Sequence, residues 1–170
     1  ATVGIGTTTV TYTYTDANSC SANATNTITV NAGAAVTLGS FTPVCDNSAA
    51  INLTSGSPAG GTYSGTGVSG TTFNPSTSGA GTFAITYSYT NANGCVSTAE
   101  SNIVVNAVTA ASMATPQAVC LNTSTFALTG GSPAGGTYSG TGVTSNNFNA
   151  SVAGVGNVTI TYTYTNASGC

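Results

Sequence analysis

Residues Ile85–Cys95 read ITYSYTNANGC, and the same pattern stands at Val10–Cys20 as VTYTYTDANSC and at Ile160–Cys170 as ITYTYTNASGC. Each version alternates Tyr, Ile or Val with Thr or Ser, passes through a turn of Asn, Asp, Ser or Gly, and ends on a cysteine. Period-two alternation marks a strand with one buried face, and Asn/Asp/Gly clusters between such runs close hairpins. The three copies stand 75 residues apart. Aligning residue n with n+75 needs no gap, and Gly56–Val68 and Gly131–Val143 are the same thirteen residues, GSPAGGTYSGTGV. That period exceeds a solenoid turn or a propeller blade and suits a complete small domain.

Working outward, TITVN (Thr27–Asn31) and NIVVN (Asn102–Asn106) are alternating strands that run into the small residues AGAA and AVTAA. Boundaries therefore fall near Asn31 and Asn106. Residues 1–31 are expected to be the last two strands of one copy, 32–106 a whole copy, and 107–170 a copy without its final strand. Within 32–106 the expected strands are Ala35–Leu38, Ala49–Thr54, Thr62–Ser64, Thr71–Asn74, Gly81–Thr90 and the run ending at Val105. Ser57–Gly61 is a turn, and Pro75–Gly81 a loop. Ile51, Leu53, Phe73, Phe83, Ile85, Tyr87, Tyr89, Ile103 and Val105 are expected to face inward. Short alternating strands between Gly/Pro/Asn turns predict an all-β fold of tandem antiparallel sandwich domains arranged as a rod. A domain of this size buries only about 60% of its chain surface and is marginal alone, so cross-links and stacking on neighbours would matter.

Composition excludes several functions. The chain has no Lys, Arg, His or Trp, and only Asp16, Asp46 and Glu100 are acidic. Nucleic acid is held mainly by Lys and Arg neutralising phosphates, and polybasic membrane contact has the same requirement; neither partner is expected. No apolar run approaches the roughly 20 residues of a spanning helix, so no membrane insertion is expected. No signal peptide and no initiator Met are visible, and the first residue already lies inside a repeat, as in a segment of something longer. Low net charge with regularly spaced Val, Ile, Tyr and Phe argues for folding rather than disorder.

General acid–base chemistry needs a titratable group poised near neutral pH. The three carboxylates are isolated, and Asp16 is replaced by Asn91 and Asn166 in the other copies, Asp46 by Leu121. No enzyme activity and no cofactor are expected. Calcium wants several oxygens with carboxylates among them; Asp16 and Asp46 fit turn roles better. Without His or a C-x-x-C pair, zinc is not expected either. Gly65-Thr66-Gly67 lacks the following Lys and helix of a phosphate loop. Alternation places Tyr12/Tyr14, Tyr87/Tyr89 and Tyr162/Tyr164 on the buried face rather than on a sugar-stacking platform. Asn-x-Ser/Thr triplets at Asn23, Asn52, Asn122, Asn149, Asn157 and Asn166 are numerous because Asn and Thr are.

Taken in order, C-x-N, L-T-x-G-x-P-A-G-G-T-Y-S-G-T-G-V, F-N-x-S and I-T-Y-x-Y-T-N-A-x-G-C resemble the immunoglobulin-like tandem repeats of giant Bacteroidetes cell-surface proteins. Cys45, Leu53, Gly60, Gly61, Tyr63, Gly65, Gly67, Val68, Phe73, Tyr87, Tyr89, Gly94 and Cys95 carry the likeness in the complete copy, and it extends over the whole chain. Many such proteins are adhesins or are associated with gliding motility, and leave the cell by type IX secretion. Two departures are Tyr63, where relatives often have Trp, and the complete loss of Lys and Arg. The resemblance implies an Ig-like fold and an extracellular, cell-surface setting. The expected function is structural: a segment of a long extracellular fibre or adhesin stalk, in contact with neighbouring repeats of the same chain and with other copies of the fibre. The alternative is a binding module that meets a glycan or a neighbouring fibre through the Gly-rich loops around Tyr63 and Tyr138.

Cys20, Cys45, Cys95, Cys120 and Cys170, alternately 25 and 50 apart, read as a disulfide framework of an oxidising compartment. Two pairings are open. Spacing points to Cys45–Cys95 and Cys120–Cys170 within copies. Topology points elsewhere: Cys45 belongs to the turn before the second strand and Cys95 to the last hairpin, at opposite ends of a sandwich. An eight-residue strand spans about 27 Å, whereas disulfide Cα atoms lie within about 7 Å. In a head-to-tail rod the Cys45 turn meets the last hairpin of the following copy, which holds Cys170. Topology thus favours a Cys45–Cys170 staple, with Cys20, Cys95 and Cys120 paired outside the chain.

Overall fold

The computed structural model describes residues 4–170; the first three residues of the 1–31 segment lie outside the described residues. The described residues form mostly strands, with two single-turn helices among them. It opens on a hairpin, β1 (Gly6–Thr15) and β2 (Ser21–Val30), paired antiparallel from Gly6↔Val30 to Thr15↔Ser21. Tyr12 and Tyr14 are not buried there: Tyr12 is 69% exposed, because no second sheet lies over this hairpin among the described residues. Alternation marks a face that can be covered; it does not supply the cover.

Residues 32–106 hold β3 (Thr37–Leu38), β4 (Val44–Cys45), β5 (Ile51–Asn52), β6 (Gly56–Ser57), β7 (Thr62–Ser64), β8 (Val68–Ser69), β9 (Thr72–Phe73), α1 (Pro75–Ser78), β10 (Gly81–Thr90) and β11 (Val96–Asn106). One sheet runs β4-β11-β10-β7; a second runs β5-β9-β8, with β3 paired to β6. Leu53 and Phe73 from the second sheet's side meet Ile85, Ile103 and Val105 of the first in one buried core. Tyr87 is buried too, whereas Ile51, Phe83 and Tyr89 are half-buried at the core's rim. Full burial of an aliphatic or aromatic side chain contributes roughly 1.5–3 kcal/mol, so these few residues dominate the stability of the repeat.

Three local expectations are corrected. Pro75–Gly81 is not all loop: Pro75–Ser78 is one helical turn, started by Pro in its first position and capped by the Asn74 side chain, which accepts from Ser76 N at 3.1 Å. Val68–Ser69 forms a strand after the Gly65–Gly67 turn. Cys45 is not in a turn; Val44–Cys45 runs parallel to the end of β11, Val44 beside Val105 and Cys45 beside Asn106. A two-residue strand carries too little alternation to be seen in sequence.

Residues 107–170 repeat the plan 75 positions on: β12 (Ser112–Met113), β13 (Phe126–Ala127), β14 (Gly131–Ser132), β15 (Thr137–Ser139), β16 (Val143–Thr144), β17 (Asn147–Phe148), α2 (Ala150–Ala153) and β18 (Thr161–Thr163). Phe148 and Ala150 are buried, but Val119, Leu121 and Phe126 are exposed. Among the described residues, no strand stands beside β18 where β11 stands beside β10.

Candidate functional site: a stapled junction

The thirteen-residue motif shared by the two longer repeats is explained by two tyrosines. Tyr63 and Tyr87 pack with ring centroids 4.8 Å apart. The Tyr63 hydroxyl accepts from Gly56 N at 2.8 Å; the Tyr87 hydroxyl accepts from Gly61 N at 2.7 Å and donates to Pro58 O at 2.5 Å. A Cβ on Gly56 would lie 2.6 Å from the Tyr87 ring, and one on Gly61 would lie 2.6 Å from its hydroxyl. The glycines are there to let the ring lie against the backbone. Tyr138 and Tyr162 repeat the arrangement at 4.8 Å, with Gly131 N, Gly136 N and Pro133 O as the partners of their hydroxyls. Both loops therefore turn their tyrosines inward, half-buried at Tyr63 and Tyr138, with hydroxyls already engaged.

The chemistry that links distant parts of the chain lies at the junction of 32–106 with 107–170. Cys45 is bonded to Cys170, with Cα atoms 5.7 Å apart and a sequence separation of 125. Parallel pairing with β11 sets Cys45 beside Asn106. Asp46 follows, donating its N–H to Asn106 O at 2.9 Å and accepting Val108 N–H on its carboxylate at 3.1 Å. Asp46 thus ties down both sides of Ala107. On the other side, the Asn166 side-chain carbonyl accepts from Ser168 N and Cys170 N, each at 3.0 Å, forming the turn. Its amide donates to Ala107 O at 2.8 Å, and Cys170 Sγ comes to lie 3.9 Å from Asn106 O.

The preceding junction has the same construction. Asn91 accepts from Asn93 N and Cys95 N, each at 3.0 Å, and donates to Ala32 O at 2.8 Å. Cys95 Sγ lies 3.8 Å from Asn31 O. In the first hairpin Asp16 builds the same turn, accepting from Asn18 N and Cys20 N at 2.9 and 2.8 Å, but a carboxylate has no N–H to offer a linker.

Of the five cysteines expected to form a disulfide framework, two are joined; Cys20, Cys95 and Cys120 are free thiols, and neither Cys45–Cys95 nor Cys120–Cys170 forms. The bond points to an oxidising compartment outside the cytoplasm. No helix of the described residues is long and apolar enough to cross a membrane, and among them no three His, Cys, Asp or Glu side chains converge as a metal site would require. What sequence reading missed is Asp46 and Asn166 as fasteners of the linker; their only signal was the recurrence of Asn at 91 and 166. No family model, curated protein or solved structure matches the chain.

Proposed function

We propose that the chain is a structural segment of a long extracellular fibre or adhesin stalk, made of Ig-like repeats at 1–31, 32–106 and 107–170. Supporting the Ig-like part is the topology of 32–106, in which a short early strand runs parallel to the last strand and two sheets share one core. The Cys45–Cys170 staple carries the functional part. A linker alone would leave consecutive repeats free to bend; a second covalent connection across the same junction restrains them. Tension applied to the chain passes from Cys45 through the sulfurs to Cys170, so the folded residues between them are shielded from it. That is a property a spacer needs. The cell-surface and type IX secretion setting follows from the family resemblance and belongs to the proposal.

The glycan-binding alternative needs aromatic rings available near Tyr63 and Tyr138. Those rings pack on Tyr87 and Tyr162 with their hydroxyls bonded to backbone, which does not favour it. Small-angle X-ray scattering of the monomer tests the spacer. The oxidised chain should give a longer, narrower distance distribution than the reduced chain, in which the two repeats bend freely. Identical profiles in both states would overturn the stiffening role.

A further inference from the structure

Resting on the spacer reading, we infer that the Cys45–Cys170 bond is a reversible redox lock with both sulfurs at the pivot of the joint. The reduced joint bends, and it reseals without refolding. Both cysteines are placed on one residue, Asn106. Cys45 is held there from within 32–106: it pairs in parallel with Asn106, donates its N–H to Ser48 Oγ at 3.2 Å and accepts Ser48 N–H on its carbonyl at 3.0 Å. Cys170 is held from within 107–170. Its N–H donates to Asn166 Oδ1 at 3.0 Å, its carbonyl accepts Asn166 N–H at 2.7 Å, and its Sγ lies 3.9 Å from Asn106 O. None of these hydrogen bonds depends on the sulfur–sulfur bond.

The junction at 31–32 shows the hairpin half of this arrangement in its thiol form. Cys95 is free, yet Asn91 donates to Ala32 O at 2.8 Å and Cys95 Sγ lies 3.8 Å from Asn31 O. The stapled junction has 2.8 Å from Asn166 to Ala107 O and 3.9 Å from Cys170 Sγ to Asn106 O. The turn therefore holds its cysteine against the linker whether or not the sulfur is bonded. On the other side, the Asp46 carboxylate reaches past Ala107 to accept Val108 N–H. Giving up that bond lets the repeats bend about Ala107 and Val108. Such a bend swings the far ends of the repeats widely, and the sulfurs beside the pivot only slightly.

Two groups tethered in this way react at an effective concentration set by their placement. Resealing runs by thiol–disulfide exchange with a low-molecular-weight disulfide such as oxidised glutathione. One protein thiolate attacks a glutathione sulfur, giving a mixed disulfide and releasing one glutathione. The second protein thiolate then displaces the other. Two electrons pass from the protein to glutathione, and the two protons lost by the protein thiols go to the two glutathione thiolates. Reduction reverses the same steps. The thiol–disulfide balance of the surroundings thus switches the segment between stiff and jointed.

The test is a redox titration of the 170-residue protein in mixtures of reduced and oxidised glutathione, quenched by alkylation and read by mass mapping after chymotrypsin. Cys45 and Cys170 are expected to reseal to each other with no glutathione left on either, while the exposed Cys20 and Cys120 accumulate it. Asn166→Asp and Asp46→Ala should each lower the effective concentration of the pair about fivefold, as the loss of one hydrogen bond implies. Asp16 builds the same turn in the first hairpin, so Asp fits at 166, and circular dichroism checks that both variants fold. Failure to reseal, glutathione retained on Cys45 or Cys170 as on Cys20, or an effective concentration unchanged in both variants would overturn the lock. A lock that fails while scattering still differs between the oxidised and reduced chains leaves the spacer reading standing. Prompt resealing with identical scattering sinks the stiffening role alone.

Discussion

Cys45 and Cys170 are brought to a Cα separation of 5.7 Å by two fasteners on the linker between them: Asp46 on Asn106 and Val108, and Asn166 on Ala107. The disulfide therefore closes a junction that is already ordered by hydrogen bonds. In the chain-entropy model a loop of this size is worth about 5 kcal/mol, and native disulfides typically contribute roughly 2–4 kcal/mol. Cys170→Ser, or reduction of the wild type, should lower the urea midpoint of unfolding by a corresponding amount. Unchanged midpoints would mean that the two repeats unfold without reference to each other.

Tyr87→Phe removes a hydroxyl that both accepts from Gly61 and donates to Pro58. Leaving these half-buried backbone groups without partners costs up to about 1–3 kcal/mol, so this variant should melt earlier. Tyr12→Phe, on the exposed face of the first hairpin, should stay within about 0.5 kcal/mol of wild type. Thermal melts followed by circular dichroism compare the pair directly.

Gly61→Ala should be more damaging than Tyr87→Phe, because the new methyl would fall 2.5 Å from Tyr87 Cζ. Overpacking of this kind typically costs about 1–3 kcal/mol. Combining Gly61→Ala with Tyr87→Ala should show partial non-additivity: the ring is gone, while the backbone carbonyl oxygen of Ser88, which the new methyl also strikes, remains. Additive losses would place the requirement for glycine elsewhere.

Asn166→Asp keeps the side-chain oxygen that forms the turn and loses the amide that holds Ala107 O. The expected loss is about 1 kcal/mol, with faster hydrogen exchange at the junction and an intact Cys45–Cys170 bond by mass. Asp16→Asn, the reverse change in the first hairpin, should have no effect on the 107–108 linker.

Long strands were plain in the sequence where both neighbours are present: Gly81–Thr90 was expected and is observed with those bounds, whereas the same alternation in the last copy is a strand only over Thr161–Thr163. The core was equally legible where both faces are defined, at Leu53, Phe73, Ile85, Tyr87, Ile103 and Val105. Two-residue strands such as Val44–Cys45 and Val68–Ser69 were not, since they are set by their partners rather than by their own pattern. Tyr12 and Tyr14 show the opposite failure: a correct alternation whose covering sheet is missing among the described residues. The staple was reachable from strand length and disulfide reach. The fasteners beneath it depend on side-chain direction, which spacing does not encode.

The most direct test of the stalk account is to pull the chain by its two ends in a single-molecule experiment, before and after reduction. With the bond closed, tension crosses from Cys45 to Cys170, and the stretch between them, a sequence separation of 125, stays out of the extending path. At roughly 3.5 Å per extended residue, reduction should add about 440 Å to the contour length released on full unfolding. Equal contour lengths in the two states would contradict the account, since the disulfide would then bear none of the tension.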